Sequence, residues 1–382
     1  MGEEWFAVLP DSDTGFAAAR ALRPLASCTV EHASGRPWLL GHWSCEQVTV
    51  AAAGTARLVV AGECPATAAS LRESLRTVDS VLDLDRVTAG LPGCFHALAS
   101  IGGRVRVQGT LASVRRVFRV RFGDAVVAAD SARVLAQLTA ADWDPAWLAL
   151  RLASTASPFP LHETTPWHGV RAVPGDHWLA LEQDGTASRL RRWSPPEPEL
   201  PLAEGASAVR DALSAAVNVR TAAGGTVSSD LSGGMDSTSV TFLAAHGPAA
   251  LVAYRWSEHD EQAADALPRA RHLVDRRHRM AAMLFAGIAP DAPPADLEEP
   301  LAWTSTRARV AHVAAAMAAA GSRVHLGGHG GDELFRPGPG YLHDLVRDCP
   351  RSGLRRLRDH RAAARWSTGA VVRALADLRT PA

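Results

Sequence analysis

Lysine is absent from this sequence of 382 residues, so all 40 of its basic side chains are arginines. Without lysine the P-loop G-x-x-x-x-G-K-[ST], a common nucleotide signature, cannot be present. Net charge is absent too. Forty acidic residues balance the arginines and the pI lies near 7.3, which leaves no electrostatic case for a nucleic-acid-binding protein. Cysteine is scarce: Cys28, Cys45, Cys64, Cys94 and Cys349 are odd in number and show no C-x-x-C spacing. Neither a zinc site nor a disulfide framework is indicated, and the five read as buried thiols in a reducing cytosol. No apolar run reaches the ~18 residues of a membrane span. The opening MGEEWFAVLPDSDTGFAAAR lacks a basic region followed by an apolar core, the mark of a secretory signal. The expectation is a soluble, cytoplasmic protein with neither nucleic-acid nor membrane partner.

A chain of this length exceeds what one core ordinarily supports, so two domains are expected. Residues 1–193 contain short alternating runs, RLVVAG, GRVRVQG, VFRVRFG and AVVAAD, divided by turn residues. They predict an antiparallel, strand-rich domain, interrupted by helices around Ala66–Val78 and Ser131–Leu138. The prolines of RRWSPPEPELPL suit neither strand nor helix, and a linker is placed at 194–204. From 205 to 382 the pattern changes. EGASAVRDALSAAVNVR reads as a helix, TVSSDL as a strand, SGGMDSTSVTFLAAHG as a loop and helix closed by Gly247, ALVAYRW as a strand, RARVAHVAAAMAAAG as a helix and RVHLGG as a third strand. Such alternation predicts a parallel α/β sheet that binds ligands at the carboxyl ends of its strands. The arginine-rich stretch 347–365 reads as a solvated helix.

The chemistry concentrates in SSDLSGGMDSTSV, Ser228 to Val240. Ser232, Gly233 and Gly234 follow a strand, and Ser237 and Thr238 begin a helix, so backbone N–H groups and hydroxyls converge at the positive end of the helix dipole. Phosphate is stabilised there without lysine. The glycine pair lets the backbone approach phosphate oxygens closely, and Asp236 can hold the accompanying metal.

This loop resembles the pyrophosphate loop of the ATP pyrophosphatases, the group of the asparagine, GMP, NAD and argininosuccinate synthetases. The resemblance implies attack at the α-phosphorus, with an adenylate and pyrophosphate as products. LGGHGGDELF, Leu326 to Phe335, resembles the second signature of the asparagine synthetase superfamily. That likeness makes Asp236 and Asp332 the two magnesium ligands and lays Leu231, Gly327 and Gly328 against the adenine. ATP and Mg²⁺ are the cofactors it implies. Two carboxylates plus phosphate oxygens suit the oxygen octahedron of Mg²⁺. HDEQAADALPRARHL, His259 to Leu273, also resembles the superfamily; Asp260 and Glu261 either complement the dipole of a helix opened there or take part in catalysis. His329, three residues before Asp332, either accepts the proton of an attacking amine or shapes the pocket.

The N-terminal half, through GTLASVRRVFRVRFGDAVVAADSARVLAQL and PWHGVRAVPGDHWLALEQDGTASRLRRWSPP, resembles the superfamily's amidotransferase domain. The implied architecture is α/β in two domains: an Ntn-amidotransferase-like, antiparallel β-rich α+β domain, then a shortened parallel-sheet ATP pyrophosphatase (adenine nucleotide α-hydrolase-like) domain. Asparagine synthetases begin with a cysteine that hydrolyses glutamine. Here the chain starts Met1-Gly2-Glu3 and the first cysteine is Cys28, so the glutaminase is expected to be silent. Superfamily branches with a silent front domain close rings. SDLSGGMDSTS is most similar to the lasso peptide macrolactam synthetases, because asparagine synthetases usually carry an aliphatic residue where Asp230 stands. The implied reaction adenylates a side-chain carboxylate of a precursor peptide and joins it to the peptide's N-terminal amine. Implied partners are that peptide, a leader-peptide protease and a leader-recognition protein. Two departures keep other readings open. The family's synthetase domain continues well beyond the 50 residues that follow Asp332 here, and it supplies a lysine for which only an arginine such as Arg336 could stand in. An asparagine synthetase-type or other small-molecule amide ligase, a truncated non-catalytic relic that binds peptide or nucleotide, and one half of a split enzyme remain as alternatives.

Overall fold

The structure, a computed structural model, describes residues 4–153, 161–197, 199–256, 273–278, 306–335 and 338–376. The N-terminal part contains twelve strands in two antiparallel sheets. The first sheet has the order β10 (Arg171–Val173), β8 (Val117–Phe122), β9 (Ala125–Ala129), β1 (Trp5–Val8), β3 (Pro37–His42), β2 (Cys28–Glu31). The second runs β12 (Ala187–Arg191), β11 (His177–Leu181), β7 (Arg104–Gln108), β6 (Cys94–Ile101), β5 (Ala56–Glu63), β4 (Val48–Ala53).

The two sheets pack face to face around Phe6, Val8, Trp38 and Leu39 of the first and Val59, Leu98, Val105 and Leu179 of the second. Helices cover both outer faces. α1 (Asp13–Leu22) and α4 (Ala132–Thr139) bury Ala18, Leu22 and Leu135 against the first sheet. α2 (Ala68–Leu75) and α3 (Leu84–Thr88) bury Leu71, Leu75 and Leu84 against the second. The result is a helix–sheet–sheet–helix stack. Inner strands are therefore covered on both faces, and the interior of β6 is buried residue after residue where alternation alone predicts one wet face. Tight turns set the pairing: β6 and β7 join through Gly102 and Gly103, whose φ angles of 58° and 79° suit a two-residue hairpin loop. α5 (Pro145–Ala153) completes the helices of this part.

Residues 192–201 carry no regular element among those described, and α6 (Leu202–Thr221) begins inside the stretch read as linker. The second part is a four-stranded parallel sheet ordered β15 (Leu273–His278), β14 (Ala250–Trp256), β13 (Thr226–Asp230), β16 (Ser322–Leu326). β15 has no counterpart in the sequence reading. α6 and α7 (Met235–Ala245) lie on one face through Val217, Ala244, Val227 and Leu251. α8 (Arg307–Ala319) lies on the other through Val313, Val252 and Tyr254. Short helices follow: α9 (Gly331–Phe335), α10 (Tyr341–Asp348), α11 (Pro350–Ala364) and α12 (Thr368–Ala376). α11 carries the arginine-rich stretch, and its Arg351, Arg355, Arg356 and Arg358 are exposed. The helix expected to open at Asp260 and Glu261 lies outside the described residues, as does Arg336.

The cysteines correct one expectation. Cys45 and Cys349 are exposed, and Cys28, Cys64 and Cys94 are partly buried. Cys45 sits in the turn after β3 and Cys349 between α10 and α11, where connecting segments run over the surface. No helix among the described residues is long and apolar enough to cross a membrane.

Candidate active site

The strand order creates a crevice. From β13 the chain steps outward to β14 and β15, then returns to β16 on the opposite side of β13. β13 leads into α7 on one face, whereas β16 arrives from α8 on the other. Loops leaving the carboxyl ends of β13 and β16 therefore diverge, and a ligand site opens between them.

A cavity of about 330 Å³ lies there, lined by Asp230, Leu231, Ser232, Gly234, Met235, Asp236, Ser237, Tyr254, Arg309, Gly328 and His329. That size is near the lower end for small-molecule sites. Of the residues singled out from sequence, Leu231, Ser232, Gly234, Asp236, Ser237, Gly328 and His329 face one space. Gly233, Thr238, Gly327 and Asp332 are adjacent in chain but do not line it.

The first loop is shaped by its own hydroxyls. The Ser232 and Ser237 hydroxyls are 2.8 Å apart, the Ser232 N–H donates to Ser237 Oγ at 3.2 Å, and the Gly234 N–H donates to Ser232 Oγ at 3.3 Å. Gly233 turns the chain at φ 82°, a conformation L side chains rarely adopt. Gly234 caps α7 and offers no side-chain cap, so the first N–H groups of an 11-residue helix meet the cavity with the positive end of its dipole. Deeper in, Thr241 Oγ1 donates to the Asp230 carbonyl at 2.8 Å and ties α7 to β13. Thr238 Oγ1 is buried with no hydrogen-bond partner among the described residues.

The second loop packs onto the first through two glycines. A Cβ on Gly328 would lie 2.7 Å from the Ser237 nitrogen, and a Cβ on Gly331 would lie 2.4 Å from the carboxyl carbon of Asp236. Any larger residue at 328 would push backbone against backbone. The Gly331 contact also brings the segment carrying Asp332, which is exposed, to the carboxylate of Asp236, which is partly buried. Among the described residues no cluster of three or more His, Cys, Asp or Glu side chains forms a metal cage. Mg²⁺ is typically held by one or two carboxylates plus substrate phosphates and waters, so two carboxylates beside a phosphate loop suit it.

Three groups escaped the sequence reading. Arg309, near the start of α8, is the arginine among the described residues that lines the cavity. Nothing in RARVAHVAAAMAAAG sets it apart until the helix is docked. Tyr254, two residues before the end of β14, pairs in register with Asp230; its place near the carboxyl end of a parallel strand is the signal that could have found it. His325, on β16, places Nε2 3.3 Å from Asp230 Oδ1 and Nδ1 3.0 Å from Ser228 Oγ.

Comparison with known proteins decides the class. Residues 208–382 match the family model described as asparagine synthase. The match spans a little under half of the chain, which over these residues is similar to the asparagine synthases. Enzymes of that family are ATP-dependent ligases that form carbon–nitrogen bonds and release AMP and pyrophosphate, and this is the enzyme class of the protein. No curated protein matches the chain. Among solved structures, the glutamine phosphoribosylpyrophosphate amidotransferase of B. subtilis in complex with ADP and GMP is similar at 10% identity and a TM-score of 0.32, over 85% of this chain and 90% of that one. A structure described as the allosteric regulatory enzyme of purine biosynthesis is similar at 10% identity and a TM-score of 0.33, over 85% and 89%.

Proposed function

We propose that the protein is a peptide macrolactam synthetase of the lasso type. It activates a side-chain carboxylate of a precursor peptide with ATP and closes the ring with that peptide's own N-terminal amine. The observation that carries the reading is the meeting of the 232–237 loop with the 328–331 loop at the carboxyl ends of β13 and β16. A helix N-terminus flanked by serine hydroxyls, Asp236 and His329 line that crevice, in a part of the chain similar to a family of ATP-dependent carbon–nitrogen ligases.

In the first step a carboxylate oxygen bonds to the α-phosphorus, the bond from that phosphorus to its β-bridging oxygen breaks, and pyrophosphate leaves. The N–H groups at the start of α7 and the Ser232 and Ser237 hydroxyls bind the departing phosphates, and Arg309 offers the cavity a permanent positive charge in a chain without lysine. Mg²⁺ held by Asp236 and Asp332 would offset the remaining phosphate charge. In the second step the amine nitrogen bonds to the acyl carbon, AMP leaves, and the proton shed by the amine passes to His329.

Two features support the peptide's amine over ammonia as nucleophile. Asp230 stands where asparagine synthetases carry an aliphatic residue. The four-layer N-terminal domain is proposed to be an Ntn-type scaffold, and its cavity beside β1, lined by Glu4, Trp5, Phe6, Trp43, His96, Arg115 and Asp130 among others, contains no cysteine, serine or threonine among the described residues. A leader-peptide protease and a leader-recognition protein complete the proposed pathway in the cytoplasm. The test is incubation with ATP, Mg²⁺ and a candidate precursor peptide that carries a free N-terminal amine and a side-chain carboxylate. The expected result is a peptide lighter by one water, with one AMP and one pyrophosphate per ring. ADP as product, or amidation of the carboxylate by ammonia, would overturn the reading.

A further inference from the structure

Asp230 is the charged side chain of the first motif that the phosphate and metal chemistry leaves unused. It ends the central strand β13, and its side chain, 31% exposed, lines the cavity with the buried Leu231 and Tyr254. A chain of polar contacts stands behind it. Ser322 Oγ donates to Ser228 Oγ at 2.9 Å, Ser228 Oγ lies 3.0 Å from His325 Nδ1, and His325 Nε2 lies 3.3 Å from Asp230 Oδ1. Both serine hydroxyls also reach the Val324 carbonyl, Ser322 at 2.9 Å and Ser228 at 3.4 Å, and the imidazole stands between Ser228 and the carboxylate. Oδ2 lies 3.7 Å from where a Cβ of Gly327 would stand.

We propose that Asp230 reads the base of the bound nucleotide, accepting a hydrogen bond at Oδ2 from the 6-amino group of adenine, with His325 as its positioning residue. This rests on the cavity being the ATP site. The phosphates belong at the α7 terminus, so the nucleoside falls to the strand ends, where Leu231, Tyr254 and Gly328 offer apolar and flat surfaces. A carboxylate is an acceptor only. Adenine presents an N–H donor at C6, whereas guanine and hypoxanthine present a carbonyl oxygen there. Acceptor would then face acceptor, and the site selects ATP against GTP and ITP.

The experiment is calorimetric titration of the full-length protein with ATP and with ITP, each with Mg²⁺. The wild type should bind ATP about 10- to 100-fold more tightly than ITP, the discrimination of a site whose polar group loses its partner. In Asp230→Asn the amide can turn its NH₂ toward a 6-oxo group, and the two affinities should come within about threefold. His325→Leu should also narrow the ratio, while His325→Gln, which retains an N–H within reach of Oδ1, should restore it; a merely structural histidine would move both affinities together. Tight ATP binding by the wild type with equal affinity for ITP would overturn this proposal alone, and needs no variant to fold. An unchanged ratio in an ATP-binding Asp230→Asn would do the same. No binding of ATP by the wild type would instead overturn the functional reading, and this proposal with it.

Discussion

Acidification should destabilise the N-terminal domain through one histidine. His96 lies in β6 between the two sheets and is 3% exposed. Its Nε2–H donates to the Arg116 carbonyl at 2.8 Å, and its ring packs edge-on against Phe6 with centroids 5.0 Å apart. Burial lowers its pKa from 6.5 to about 4; the Arg115 guanidinium acts in the same direction and the carbonyl bond opposes both. The folded state therefore takes up this proton only near pH 4, whereas the unfolded chain takes it up near pH 6.5. Stability is complete above pH 6.5 and is lost as pH falls toward 4, by roughly 3 kcal/mol in all and about 2 kcal/mol by pH 5. His96→Gln keeps a donor for the carbonyl and removes the titration. In urea unfolding followed by circular dichroism, the wild type should lose about 2 kcal/mol more than the variant between pH 7 and pH 5. His32, also lowered chiefly by burial, is present in both proteins and cancels. Equal pH dependence in the two would refute the assignment of a neutral, buried His96.

Four further outcomes concern the crevice. Gly328→Ala places a Cβ 2.7 Å from the Ser237 nitrogen and should cost roughly 1–3 kcal/mol, read as weaker ATP binding in titration or a lower melting temperature; no change in either would contradict the close loop packing. Asp236→Ala and Asp332→Ala should each slow ATP–pyrophosphate exchange by about a hundredfold, and near-normal exchange in both would remove the two-carboxylate metal site. His329→Ala should leave that exchange intact and slow ring closure by roughly 10²–10⁴; equal loss of both would make His329 part of the nucleotide pocket. Arg309→Ala should weaken Mg²⁺–ATP binding by about tenfold, with partial recovery in Arg309→Lys, and unchanged affinity would show that this charge does not reach the phosphates.

Local chemistry was legible from sequence because it is carried by neighbours in the chain. Ser232 to Thr238 announce a strand, a glycine turn and a helix start within a few residues, and the absence of lysine excludes the other common phosphate loop. The pairing of that loop with the Gly-Gly-Asp segment near 328–332 followed from family likeness, and the alternation of strands and helices around them predicted a parallel sheet. Strand order was not legible. That β16 returns to the far side of β13, and so opens the crevice, is settled by packing of helices on two faces, which periodicity does not encode. The same order places His325 beside Ser228 and Asp230, almost a hundred positions away, and turns Arg309 and Tyr254 toward the cavity that the Ser232–Ser237 loop lines. The N-terminal stack shows the complementary limit. Runs such as RLVVAG declared strands, but only the assembled layers made the interior of β6 dry on both faces, and burial on that scale is what holds His96 neutral.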